Sequence, residues 1–104
     1  MPYRIEWLPA ARRQFRKLPR AAAERLFSLV DSLAENPRPP ESRKLEGTED
    51  CYRLRQGDCR VVYTILEDCV VVLVLRVGHR SSAYRGTSDL TRAIKKHRRR
   101  PGSS

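Results

Sequence analysis

The run "CVVVLVL" at residues 69–75 constrains the fold more than any other part of the chain. After Cys69 its residues are all β-branched or aliphatic and show no polar alternation. That pattern predicts a central strand covered on both faces. At seven residues it is also far shorter than the roughly 20 a membrane-spanning helix needs. The rest of the chain must supply the neighbours and the covering layers.

The preceding segments supply them in order. "YRIEW" (3–7) alternates Tyr3, Ile5 and Trp7 with Arg4 and Glu6, a short half-buried strand. Pro9 opens a helix with an apolar stripe of Ala11, Phe15 and Leu18, and Pro19 closes it. A second helix over 20–35 repeats Ala23, Leu26, Phe27, Val30, Leu33 and Ala34 with helical period. "NPRPPESRKLEG" (36–47) holds three prolines in four residues and predicts a loop. Strands follow at 51–56, 59–66 and 69–77, joined by a Gln56-Gly57-Asp58 turn and a tight Glu67-Asp68 turn. A loop over 79–88 and a short helix over 89–96 complete the series. The order β-α-α-β-β-β-α predicts an α+β domain over 1–96. Its expected core is a four-stranded, mainly antiparallel sheet with both N-terminal helices on one face. Residues 97–104 read as a basic, unstructured tail.

Charge is the strongest functional signal. The 104 residues carry 22 Lys+Arg against 12 Asp+Glu, a net charge of +10. Six of the basic residues stand between Arg92 and Arg100 with no acid among them, and the remaining 16 still outnumber the acids. Such a balance implies a polyanionic partner, most often nucleic acid. The N-terminal "MPYRIEWLPAARR" lacks the apolar core of a signal peptide. Cys51, Cys59 and Cys69 are spaced by eight and ten with no CxxC pair. They read as reduced, strand-associated residues of a cytoplasmic protein, and no metal or small-molecule cofactor is expected.

In "CYRLRQGDCRVVY" (51–63), Arg53 and Arg55 share one side of a strand opposite Tyr52 and Leu54, and Arg60 arrives on the next. Side chains two apart on a strand lie roughly 6.5–7 Å apart, close to successive phosphates of a single strand. Guanidinium offers a planar, permanently charged fork for phosphate oxygens. With the helices on one face, the other is expected to stay open and phosphate-binding. Lys44, Arg85, Lys95 and Lys96 extend the candidate RNA contacts. After the last strand, "VGHRSSAYRG" brings His79, Arg80, Tyr84 and Arg85 together. Histidine and tyrosine exchange protons and arginine holds phosphate, which suffices for RNA cleavage by the ribose 2′-hydroxyl. Glu46 is a further candidate base.

In this order and spacing, "RKLEG", "DCYRLR", "CRVVYTI", the apolar last strand and "VGHRSSAYRG" make the chain similar to the RelE branch of the RelE/ParE toxin superfamily. The resemblance implies a type II toxin that cleaves mRNA in the ribosomal A site, contacting ribosomal RNA, and a neutralising antitoxin. It also implies roles. Arg60 would stabilise the transition-state phosphate, Arg80 would bind phosphate, and Tyr84 would stack on a base or move a proton. Arg53 and Arg55 stand where well-known members carry lysines; as arginines they supply charge but cannot lose a proton. Two other readings stand beside this one. A ParE-like gyrase poison needs no arginine clamp. A non-catalytic RNA- or operator-binding module keeps the arginines but makes His79 and Tyr84 dispensable.

Overall fold

The computed structural model describes residues 2–45 and 50–79. Its elements run β1 (Arg4–Trp7), α1 (Pro9–Arg16), α2 (Arg20–Ser32), β2 (Arg43–Lys44), β3 (Cys51–Gln56), β4 (Cys59–Leu66) and β5 (Val71–His79). Pro9 occupies the first turn of α1, where its missing N–H has no partner to lose. Arg13 and Arg16 sit in the last turn, against the negative end of the helix dipole. Pro19 disfavours helical geometry at Leu18, so α1 cannot run into α2. The helical period of the second segment predicts an end at residue 35, but α2 stops at Ser32. Leu33, Ala34 and Glu35 then donate to the carbonyls three residues back, a tightened last turn before Asn36-Pro37.

Among the described residues the sheet has five strands in the order β1-β5-β4-β3-β2, one more than the sequence predicts. The extra strand is β2, two residues inside the proline-rich segment read as loop. It pairs antiparallel with β3 through Arg43↔Arg53 and Lys44↔Tyr52, and the Leu45 N–H adds a bond to the Cys51 carbonyl at 2.8 Å. Two residues carry no periodicity, so only pairing reveals them. The sheet is mixed: β1 runs parallel to β5, and the other three pairings are antiparallel. The predicted C-terminal helix at 89–96 lies outside the described residues.

The apolar run forms β5 between β1 and β4, and Val71–Leu75 and Val77 are buried to 2% exposure or less. Its strand begins two residues late. Glu67–Val70 form a longer turn than the predicted pair, closed by Cys69 N–H to Leu66 O at 3.1 Å, with Val70 at φ 55°. A β-branched residue there is strained by about 1–3 kcal/mol. The Val70 carbonyl accepts the Arg4 N–H at 3.0 Å, which ties that turn to the start of β1. Between β3 and β4, Gly57 at φ 60° takes the first central position of a two-residue turn, as hairpin twist requires.

Both sheet faces are apolar in part. On the helix side Ala11, Leu26, Val30 and Leu33 pack against Leu54, Val61, Tyr63 and Val74. The opposite face, expected to be open, carries its own buried cluster that includes Leu45, Cys51, Val62, Leu66, Leu73 and Leu75. Openness is therefore confined to one end of that face.

Candidate active site

That end is built by cross-strand register. Arg55 lies directly opposite Arg60, Arg53 opposite Val62, and Arg43 opposite Arg53. Directly paired side chains share a face, so Arg43, Arg53, Arg55 and Arg60 collect on the side away from the helices. They line a cavity of about 450 Å³ with Glu41 and Leu54. Arg53 and Arg55 are exposed, whereas Arg60 is half-buried with its Nη1 sealed from solvent. Four guanidiniums face one carboxylate among the lining residues. Like charges placed directly opposite one another oppose pairing, and an anion held between Arg55 and Arg60 would offset that repulsion. Arg60 is the least exposed of the four, and a charge in a partly desolvated place stabilises an anion most.

Register separates other predicted site residues from this cluster. On β5, Gly78 faces Arg60 and Arg76 faces Val62, so both lie on the arginine side. His79 pairs with Cys59, whose side chain belongs to the helix-side core, and alternation sends the exposed imidazole to that side. Lys44 pairs with Tyr52 and is likewise on the helix side. Arg80, Tyr84, Arg85, Lys95, Lys96 and Glu46 lie outside the described residues.

Sequence reading missed Arg43, Glu41 and Arg76. The first two sit in a segment whose parity is set only by the β2–β3 register. Arg76 did leave a signal, as the one charge inside the apolar β5.

Two devices fix the frame around the cavity. The β4–β5 register shifts between Val62 and Tyr63, pairing them with Arg76 and Val74 and leaving Leu75 as an extra residue. Beyond Val74 no β1 residue remains to pair with β5, and the Gln14 Oε1 of α1 accepts the Val77 N–H at 2.8 Å instead. On the other side, Arg38 reaches across the proline-rich segment. It donates from Nε to the Tyr52 hydroxyl at 3.2 Å and from Nη2 to Glu67 at 2.8 Å, with its guanidinium 5.6 Å from the Tyr52 ring centre. Tyr3 donates to the other Glu67 oxygen at 2.9 Å. The bonds from Arg38 and then Tyr3 hold the Glu67 carboxyl below its ordinary range. Tyr52 stacks on Tyr63 at 5.8 Å, and the buried Tyr63 hydroxyl donates to the Pro37 carbonyl at 2.7 Å. Burial pushes that phenol up to about 12. Both tyrosines thus belong to the frame around the cavity.

With this geometry in view, known proteins decide the kinship. A family model described as the ParE toxin of type II toxin–antitoxin systems matches residues 5–84. The chain belongs to the RelE branch of the RelE/ParE toxins. The mRNA interferase toxin RelE of Escherichia coli is 37% identical over 82 residues, covering 77% of this chain and 85% of that protein. Toxin RelG of Mycobacterium tuberculosis is 37% identical over 89 residues, covering 82% and 99%. Among solved structures, the archaeal RelE–RelB complex from Pyrococcus horikoshii matches with a TM-score of 0.69 at 34% identity, covering 80% of this chain and 100% of that one. The isolated E. coli RelE toxin gives a TM-score of 0.69 at 29% identity, covering 91% and 98%. The arginine cavity of this RelE-type toxin therefore sits on a fold shared with RNA-cleaving and antitoxin-bound relatives.

Proposed function

We propose that this toxin is an endoribonuclease that cleaves mRNA in the ribosomal A site and is neutralised by a cognate acidic antitoxin. The observation that carries the reading is the opposed pair Arg55–Arg60, joined by Arg43 and Arg53 around one cavity. Relatives named as mRNA interferases and solved as RelE–RelB complexes support the substrate and the partner. An mRNA substrate and free cysteines fit a cytoplasmic site of action.

The chemistry needs only protein groups. A base removes the ribose 2′-OH proton and the oxygen attacks the adjacent phosphorus. The P–O5′ bond breaks, an acid protonates the departing 5′-oxygen, and a 2′,3′-cyclic phosphate remains. Arg60 stabilises the charge that develops on the phosphate, while Arg53 and Arg55 hold neighbouring phosphates. The family resemblance adds Arg80 as a phosphate ligand and Tyr84 as a stacking or proton-transferring group. His79, Tyr84 and Glu46 remain the candidate acid and base, with His79 set by its pairing to Cys59 on the face opposite the arginines. Arg85, Lys44, Lys95 and Lys96 contribute salt-sensitive grip on RNA.

The family model named for ParE favours one rival, inhibition of DNA gyrase by protein contact. Mapping mRNA 5′ ends on a defined message, with and without stalled bacterial ribosomes, decides between them. We expect a cut within the A-site codon, slowed about 100-fold or more by Arg60→Ala combined with Arg80→Ala. No cut under either condition sinks the nuclease reading, and inhibition of gyrase supercoiling by the same preparation would establish the rival.

A further inference from the structure

Arg76 stands in β5 between two buried apolar residues, Leu75 and Val77. An aliphatic residue would continue the pattern of the strand, whereas a half-buried charge gives up hydration and calls for a counter-charge. Among the described residues no carboxylate pairs with it. The irregularity in the β4–β5 ladder decides where this charge goes. Tyr63 opposes Val74, so in a regular ladder Val62 would oppose Leu75 and Val61 would oppose Arg76. Val61 belongs to the helix-side core, and that register would drive a guanidinium beneath the helices. The one-residue shift pairs Arg76 with Val62 instead and turns it to the arginine side.

We propose that Arg76 holds a phosphate flanking the scissile one, on the opposite side from the phosphate held by Arg53. The inference rests on the reading that this toxin cleaves RNA. Arg60 is the centre of the arrangement. Arg55 on β3 and Gly78 on β5 are its direct neighbours, and Arg53 and Arg76, two residues further along each strand, are its diagonal ones. Diagonal neighbours lie about 7–8 Å apart, a spacing that successive phosphates of a single strand can follow. Arg53 and Arg76 thus stand on either side of Arg60, with Val62 between them. Gly78 brings no side chain, so Arg76 is the cation that β5 offers beside Arg60. It stands outside the lining of the arginine cavity, which makes its subsite a separate one. A purely structural Arg76 would use only its aliphatic stem, laid over Val62.

The experiment times cleavage by purified toxin on ribosomes stalled on a defined message. Arg76→Met keeps an unbranched stem over Val62 and removes the charge, whereas Arg76→Lys keeps the charge. Arg76→Met should raise KM for the programmed ribosome about tenfold and leave kcat within about twofold, the mark of a contact made equally before and during the reaction. Arg76→Lys should recover most of that loss. A second set of messages replaces the phosphate before or after the scissile one with an uncharged methylphosphonate. At one of these positions wild-type toxin should lose about tenfold while Arg76→Met loses nothing further, and at the other both should lose alike. Thermal melting of each variant controls for the fold, and the wild-type response to methylphosphonate needs no substitution. Arg76→Met equal to wild type, or losses that multiply at both positions, overturns the subsite and leaves the nuclease reading standing. Equal damage from methionine and lysine makes Arg76 structural and overturns the proposal as well. No cut by wild-type toxin on the unmodified message removes the nuclease reading and this inference with it.

Discussion

The two faces of the sheet are made from the same strands and do opposite things. On β3, Leu54 is 1% exposed beneath the helices, while its neighbours Arg53 and Arg55 project into the cavity behind them. On β4, Val61, Tyr63 and Ile65 belong to the helix-side core, while Arg60 and Val62 point away from it. The helix face is apolar along the length of β4. The other face is graded, from arginines beside the Gly57 turn to Leu66, Val71 and Leu73 at the far end. A small domain can thus anchor a dense positive patch, because each cavity arginine of β3 and β4 is backed by a buried residue one step along the strand.

The division predicts which substitutions damage which property. The largest expected effect on stability is Leu54→Ala, which removes a fully buried side chain and should cost about 2–5 kcal/mol in urea unfolding. Arg55→Ala, one residue away and exposed, should change stability by less than about 0.5 kcal/mol while slowing RNA cleavage. Equal losses of stability from the two would break the comparison.

A second test sharpens it at the join between α1 and β5. Gln14→Leu leaves the part-buried Val77 N–H without its acceptor and should cost about 1–3 kcal/mol. Gln14→Glu keeps an acceptor oxygen and should recover most of that. If leucine is tolerated as well as glutamate, α1 does not hold the end of β5.

Smaller effects come from the tyrosine frame. Tyr63→Phe gives up the bond to the Pro37 carbonyl and should cost about 1 kcal/mol. Because folding raises the Tyr63 phenol to about 12, its contribution is complete below the ordinary tyrosine value of about 10 and vanishes as pH rises through about 12. An ultraviolet titration should show one late phenol that coincides with alkaline unfolding and is missing from Tyr63→Phe.

The exposed Glu67 latch is the smallest. Its carboxyl titrates below the unfolded value, so its stabilisation is present above the unfolded value and lost as pH falls through the folded one. Glu67→Gln should narrow the difference in urea midpoint between pH 7 and pH 3. An unchanged pH dependence would show that the bonds from Arg38 and Tyr3 contribute nothing measurable.

Much of this was legible in the chain. Alternation in "YRLR" places Arg53 and Arg55 on one side, the apolar run marks β5, and the prolines bound the helices. The limits have physical causes. β2 is too short to carry a period, and a helical stripe cannot say whether its flank, here Phe27, meets another layer. Nor could sequence order say which face His79 takes, because that depends on strand pairing, and Cys59 is the partner of His79.

By itself, the sequence determined the periodicities, the charge and the breaks, because those arise from neighbours within a few residues. Only the tertiary structure decided that Arg43 and Arg53 face each other, that Arg55 opposes Arg60, and that Gln14 stands where β1 runs out. Those contacts join residues brought together by strand register, and a shift of one position would turn each side chain to the other face.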